Sequence, residues 1–440
     1  MRSSTTRLRN RSRLGVKGVA AGLTAVALVA TAPSAPAAGA TGTTRTTQAA
    51  QTAQTAQSAQ TAQTTQTAQT TQTARTAQAA TAAGQASGSA LACGDGSFNA
   101  EAVLSGGTWT ARNGGRTVYT GSSMLSAMQA AVNSLTAGRT SKQRVVVRGS
   151  GSMSAGSRLS LPSYTVLDVC GTVNVTGSGS GDQAVVYARG VTDVEVRHLT
   201  VTGAPLYGIF VRNGVNVTLG QIDLRLTRGL GIRIDNHGDR SVRTRNVRID
   251  NVYVSGTSTH GVETYGVDGL TVGTVTARNT GHSGLLLNDT INANVTTVDA
   301  QGAGAGTGYA AFRMANRNGR IGSGYPTNIR VGQVIAHGGG RGVFCVSESG
   351  GAVIDRVDIA QTGNNAILIE NCHNVNIAAQ GGTVAGPGDI RLAARSEFPN
   401  TSDIVIQNLT VTNSAITENP CGVNTTFRNN TLVNSRQSIC

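Results

Sequence analysis

The sequence predicts an all-β fold, a right-handed parallel β-helix solenoid with an N-terminal cap helix. Three observations lead there. From about residue 193 the pattern NVxIxxVxV recurs, followed each time by a polar corner, a small residue and a short alternating strand. The short strands align as GIFVRN from Gly208, GIRIDN from Gly231, GVETYG from Gly261, GLLLND from Gly284, AFRMAN from Ala311, GVFCVS from Gly342, AILIEN from Ala366 and DIRLAA from Asp389. Their starts differ by 23, 30, 23, 27, 31, 24 and 23 residues, a floor with occasional insertions that marks one coil per repeat. Connections this short carry no helical period, so the strands must stack in parallel and be joined by corners.

Along the chain, residues 1–40 read as a secretory signal peptide. Arg2, Arg7, Arg9, Arg11, Arg13 and Lys17 precede the apolar run GVAAGLTAVALVA and the small residues APAAGA. That run is too short to span a bilayer, so a secreted, extracellular protein with no membrane partner is expected. Residues 41–90 are a spacer of TAQ and TTQ near-repeats, with too few large apolar side chains to offset the entropy of ordering, and disorder is expected there. Residues 91–440 form the β-helix domain. Within it, SMLSAMQAAVNSL (123–135) is amphipathic and precedes the first strand RVVVRG, a placement that caps the open end of a solenoid. Residues 414–440 are expected to cap the other end.

The formal charge of +14 belongs largely to the leader. Eight basic and no acidic residues precede residue 91, which leaves 28 basic against 22 acidic residues in the domain. Aromatic residues are 3% of the chain, too few for the stacking platforms of single-strand binders, and no nucleic-acid partner is expected. All six cysteines lie in the domain, an even number in an exported chain, and disulfides are the natural reading. Several pairings are open; proximity favours Cys93 with Cys170, Cys345 with Cys372 and Cys421 with Cys440. No CxxC or paired Cys and His motif is present, so no metal and no cofactor are expected.

From the coil repeat and the cap helix, over about residues 120 to 415, the chain resembles the secreted pectate-lyase-like and polygalacturonase-like β-helix superfamily. The resemblance implies a substrate groove along one outer sheet and an activity among polysaccharide lyases, glycoside hydrolases and sugar epimerases or transferases. The polygalacturonate-cutting branch carries NTD, DD, GHG and RIK motifs. This sequence has no NTD, DD or RIK, and only His260-Gly261 and Gly281-His282 echo GHG.

In the aligned strands positions two and four are apolar and point inward, and positions one, three and five point out. Outward titratable groups then concentrate on a few successive coils. At about 4.8 Å between coils and 6.6 Å between alternate residues, the Cβ atoms of Asp235 and Glu263 should lie on the order of 8 Å apart. That approaches the roughly 6.5 to 9.5 Å carboxyl separation of inverting glycosidases. Arg233, directly below Glu263, should keep it ionised as the base and leave Asp235 as the acid. Tyr265 neighbours Asp235, Asn288 lies on the next coil, and Asp289 is a reserve carboxylate. His260 and His282 occupy nearly the same corner on successive coils and can tune a proton transfer or position a sugar hydroxyl. Arg212, Arg240, Arg313 and Arg317 can clamp acidic sugars, and the insertions NHGDRSVRTR and RNGRIGSGYPT are expected to flank the groove. Asn213, Asn236, Asn316 and Asn371 share the sixth position and read as corner asparagines.

Glycoside hydrolysis of an extracellular polysaccharide is the leading expectation. A polysaccharide lyase using an arginine, His260 or Tyr265 as base is the second, and a non-catalytic carbohydrate-binding solenoid the third.

Overall fold

The computed structural model describes residues 92–440 apart from Ala305 and Thr307. The expected signal peptide (1–40) and TAQ spacer (41–90) lie outside the described residues. Among the described residues no helix is long and apolar enough to cross a membrane.

The domain is a parallel β-helix whose coils each contain one long and one short strand. The long strands, among them Thr192–Gly203, Val215–Leu226, Thr244–Ser255 and Val267–Arg278, carry the NVxIxxVxV repeat. In Thr244–Ser255 the buried apolar side chains are Val247, Ile249, Val252 and Val254, with the outward pair Asp250 and Asn251 between them. That break in the two-residue alternation bends the strand, so that both apolar pairs face the core. Glycines stand at the equivalent bend of neighbouring coils. A Cβ on Gly273 would lie 2.2 Å from the Asp250 carbonyl oxygen, so only glycine allows the coils to stack this closely.

The short strands make a separate 12-stranded sheet. Its inward row runs Ile232, Val262, Leu285, Phe312, Val343, Ile367, Ile390 across successive coils, in the register that the aligned repeats predict. All seven are fully buried. Each such side chain contributes on the order of 1.5–3 kcal/mol of burial, and the core is a continuous column of them.

The N-terminal end is closed by the helix Met124–Asn133. Its buried face is Met124, Ala127, Met128, Ala131 and Val132, and Ser123 caps it by accepting the Ser126 amide at 3.1 Å. Beside it lies an antiparallel meander, Ala100–Ser105, Thr108–Asn113 and Arg116–Gly121, whose first strand runs parallel to Gln143–Arg148. The sequence reading missed this meander, because it lies ahead of the repeat that reveals the coils. The chain before it is pinned through Asp168, which is fully buried and accepts from Gly94 N–H, from Arg144 and from His198 Nδ1.

At the C-terminal end residues 415–438 continue the stack as its last coil, with Phe427 packed against the core. Ala415–Glu418 pairs with Ile390–Ala393, and Thr426–Arg428, Thr431–Val433 and Arg436–Ser438 pair with the preceding coil. Short alternating runs such as TLVN suffice for pairing even after the apolar repeat has thinned, and Leu432 and Val433 are left exposed.

All three disulfides join the expected partners, with Cα separations of 5.4 Å for Cys93 and Cys170, 6.2 Å for Cys345 and Cys372, and 5.7 Å for Cys421 and Cys440. Asn213, Asn316 and Asn371 adopt the left-handed backbone of a corner. Asn236 does not, because the first insertion begins there; His237 takes the positive φ instead, while Asn236 holds the loop through Gly238 N–H and the Asp239 carbonyl.

Candidate functional site

The outward row of the 12-stranded sheet runs Phe210, Arg233, Glu263, Leu286, Arg313, Phe344, Leu368, Arg391. Beside its first coils opens a cleft of about 380 Å³ whose lining includes Tyr207, Arg228, Arg233, His260, Glu263 and His282. Its wall is built from the residues just ahead of successive short strands, which is why His260 and His282 arrive on one edge.

Glu263 and Asp235 do not form an open carboxylate pair. Asp235 is 1% exposed, and Arg212 grips both of its oxygens, Nε to Oδ1 at 2.7 Å and a terminal nitrogen to Oδ2 at 2.9 Å. Arg233 adds a third bond from Nε at 2.9 Å and reaches Glu263 with a terminal nitrogen at 3.1 Å. The guanidinium therefore occupies the ground between the carboxylates where an attacking water would have to stand.

The electrostatics invert the expected division of roles. Burial raises the Glu263 carboxyl above its ordinary value, and the charge of Arg233 pulls it back only in part. At Asp235 burial also pushes upward, but hydrogen bonds from Arg212 and Arg233, with their charges, outweigh it and hold the carboxyl below its ordinary value. Glu263 is thus the group inclined to hold a proton, and Asp235 the fixed anion. The second oxygen of Glu263 accepts from Asn288 Nδ2 at 3.2 Å, and Asn288 in turn accepts from Asn316.

His260 is buried, and its pKa falls to about 3 through burial, helped by the charges of His282, Arg313 and Arg233. Its Nδ1 accepts the Ser283 amide at 3.1 Å, so the neutral ring carries its proton on Nε2. His282 is also lowered by burial and by Arg313, and its ring lies stacked on Tyr309 with centroids 3.7 Å apart. Neither ring nitrogen of His282 has a partner among the described residues.

Arg313 stands beside this group. Its guanidinium lies over the rings of Tyr309 (5.7 Å) and Phe344 (5.3 Å), its Nε is buried without a hydrogen bond, and it makes no ion pair among the described residues. Its charge reaches Glu263 and both histidines.

The remaining expected groups are engaged elsewhere. Arg212 is taken by Asp235 and Asp182. Asp289 is buried under Arg243 at 3.1 Å and Arg240 at 3.4 Å, so it is no reserve carboxylate and Arg240 no free clamp. Arg317 pairs with Glu348 at 2.8 Å. Tyr265 lies between Asp235 and Asn288 on the adjoining row and does not line the cleft. The second insertion is tied down by Tyr325, which donates to the Glu348 carbonyl and accepts from Asn374. Sequence reasoning missed Tyr309, which lies in a glycine-rich loop outside the aligned strands, and Arg228, whose exposed corner lies outside the aligned hexapeptides.

A grouping of metal-type side chains, Cys93, Asp168 and His198, is not part of the lining of this cleft, and its sulfur is used in the Cys93–Cys170 disulfide.

No family model matches the chain, and no curated protein matches it. Among solved structures, the chain is similar to the A-module of an Azotobacter vinelandii mannuronan C-5 epimerase, with 15% identity over 71% of this chain and 93% of that one, at a TM-score of 0.42. It is also similar to the receptor-binding tailspike of bacteriophage Det7 (12% identity, 70% and 74% covered, TM-score 0.31). A third is PfbA, a surface adhesin of Streptococcus pneumoniae (11% identity, 70% and 89% covered, TM-score 0.33). These likenesses are of coil architecture at most.

Proposed function

We propose that the protein binds an acidic polysaccharide in this cleft and breaks it by β-elimination. The C–H bond α to a uronate carboxyl breaks, its electron pair forms a double bond to the neighbouring carbon, and the glycosidic oxygen leaves with a proton. The reaction needs a cation at the carboxylate, a neutral base at the α-proton and a donor at the leaving oxygen.

Arg313 suits the first role, since a guanidinium matches carboxylate geometry and this one has no hydrogen bond or ion pair to give up among the described residues. His282 suits the second: it lines the cleft, burial keeps it neutral and both ring nitrogens are free. His260 presents Nε2–H, and the Tyr309 ring lies 5.7 Å from it, so either is a donor for the leaving oxygen. Glu263, raised by burial and held by Asn288, completes the carboxylate-facing wall with Arg313.

The observation that carries this reading is the contrast between two guanidinium environments. Arg313 is unpaired beside neutral histidines, whereas Asp235, the second carboxylate that hydrolysis requires, is enclosed by Arg212 and Arg233. Incubation with uronate-containing polymers should release reducing ends together with products absorbing as unsaturated uronates. Reducing ends alone would return the assignment to hydrolysis, and saturable binding without product would make this a binding solenoid.

A further inference from the structure

The row that carries Glu263 continues past the cleft. From Arg313 it passes over Phe344 and Leu368 and reaches Arg391, three coils on. At about 4.8 Å per coil the two arginine positions lie about 14 Å apart along the axis. The two rungs between them are apolar and nearly closed, Phe344 at 6% and Leu368 at 5% exposure, and the Arg341 guanidinium lies over the Phe344 ring at 4.7 Å, so no carboxylate stands on the row. Arg391 is exposed and has no hydrogen bond or ion pair among the described residues. The acids beside it are occupied: Glu370 is paired with Arg395 at 2.7 Å, and Asp389 accepts from the Asn365 amide at 2.5 Å. Next to the row, Asn364, Asn413, Ser414 and Thr417 line a shallow cleft together with Asp389 and Arg436, a polar surface whose amides and hydroxyls suit sugar hydroxyls.

We infer that Arg391 is a second anion station, and that the outer face takes an extended polyuronate lying along the coil axis, with one carboxylate at Arg313 and another about three coils away at Arg391. The inference rests on the acidic-polysaccharide reading above and adds the direction and minimum length of the ligand. A chain long enough to reach both arginines gains the second contact intramolecularly, whereas a shorter one holds Arg313 alone.

The test is binding, independent of turnover. Oligogalacturonates of increasing length are titrated against the full protein and against Arg391→Gln, with carboxyl-reduced oligomers in parallel. The affinity of the unaltered protein should rise by about fivefold once the oligomer spans both arginines, the gain of one solvated charge contact. In Arg391→Gln that rise should vanish while the shortest oligomers bind unchanged, and the carboxyl-reduced series should show no rise in either protein. A rise that persists in Arg391→Gln overturns the second station and leaves the acidic-polysaccharide reading standing. Equal binding of charged and carboxyl-reduced oligomers, or none by either, overturns both.

Discussion

Arg233 and Glu263 face each other across adjacent coils at 3.1 Å, and the same guanidinium holds Asp235 at 2.9 Å within its own strand. One cation thus links two carboxylates whose surroundings pull their protonation in opposite directions.

That linkage separates the two acids by experiment. Asp235→Asn removes the buried carboxylate that accepts three bonds from Arg212 and Arg233, leaving them only Asp182 and Glu263, and should cost up to about 3–5 kcal/mol of stability. Thermal or denaturant unfolding reads this directly. Glu263→Gln keeps the volume of the side chain but turns one of its two acceptor oxygens into an amide NH2, so either the Arg233 or the Asn288 bond is lost; stability should fall by about 1–3 kcal/mol, less than for Asp235→Asn, while polymer breakdown falls because the wall beside Arg313 is disturbed. An Asp235→Asn protein of parental stability and no activity would restore Asp235 as a chemical group.

Arg313→Gln tests the carboxylate contact. The side chain carries no structural ion pair, so folding should be unaffected, while KM for an acidic polymer rises and kcat falls, because the carboxylate charge grows toward the transition state. Unchanged kinetics on an acidic substrate would remove Arg313 from the site.

His260 gives a pH dependence with a definite sign. Its pKa is near 6.5 in the unfolded chain and about 3 in the fold. Below pH 6.5 the unfolded state therefore binds the extra proton, and stability falls as pH drops from about 6.5 toward 3, by up to roughly 1.4 kcal/mol per pH unit. His260→Gln should flatten the acid limb of a stability profile by about one proton. A parallel limb would mean that the ring charges without unfolding.

The Cys345–Cys372 disulfide lies in the column of inward side chains, with both residues fully buried. Replacing both cysteines with alanine should lower stability by about 2–4 kcal/mol, with a further loss from the small cavity. Unfolding of the double variant in the absence of reductant checks it.

The histidine edge was legible in the sequence because His260 and His282 precede strands whose alignment is fixed by buried Val262 and Leu285. Tyr309 was not, although its ring stacks on His282, because a loop of glycines has no periodicity from which its direction can be inferred. The long-strand bend went unread, although the repeat carries its signal: two consecutive polar residues between Ile249 and Val252 leave no other way to bury both.

The sequence by itself determined the coil. Apolar parity sets which residues face inward, and the spacing of the repeats sets which strand lies over which, since a slip of one residue would turn the whole buried row to solvent. Only the tertiary structure decided the chemistry of the outer face. Outward positions tell where a Cβ lies, but an arginine side chain is long enough to reach the next coil or to turn back along its own strand. Arg233 does both, Arg212 reaches across to Asp235, and Arg313 lies over the rings of Tyr309 and Phe344 without meeting a carboxylate. Those three choices close one carboxylate, bury another and leave one guanidinium free, and they depend on neighbours brought together from coils 23 to 31 residues apart.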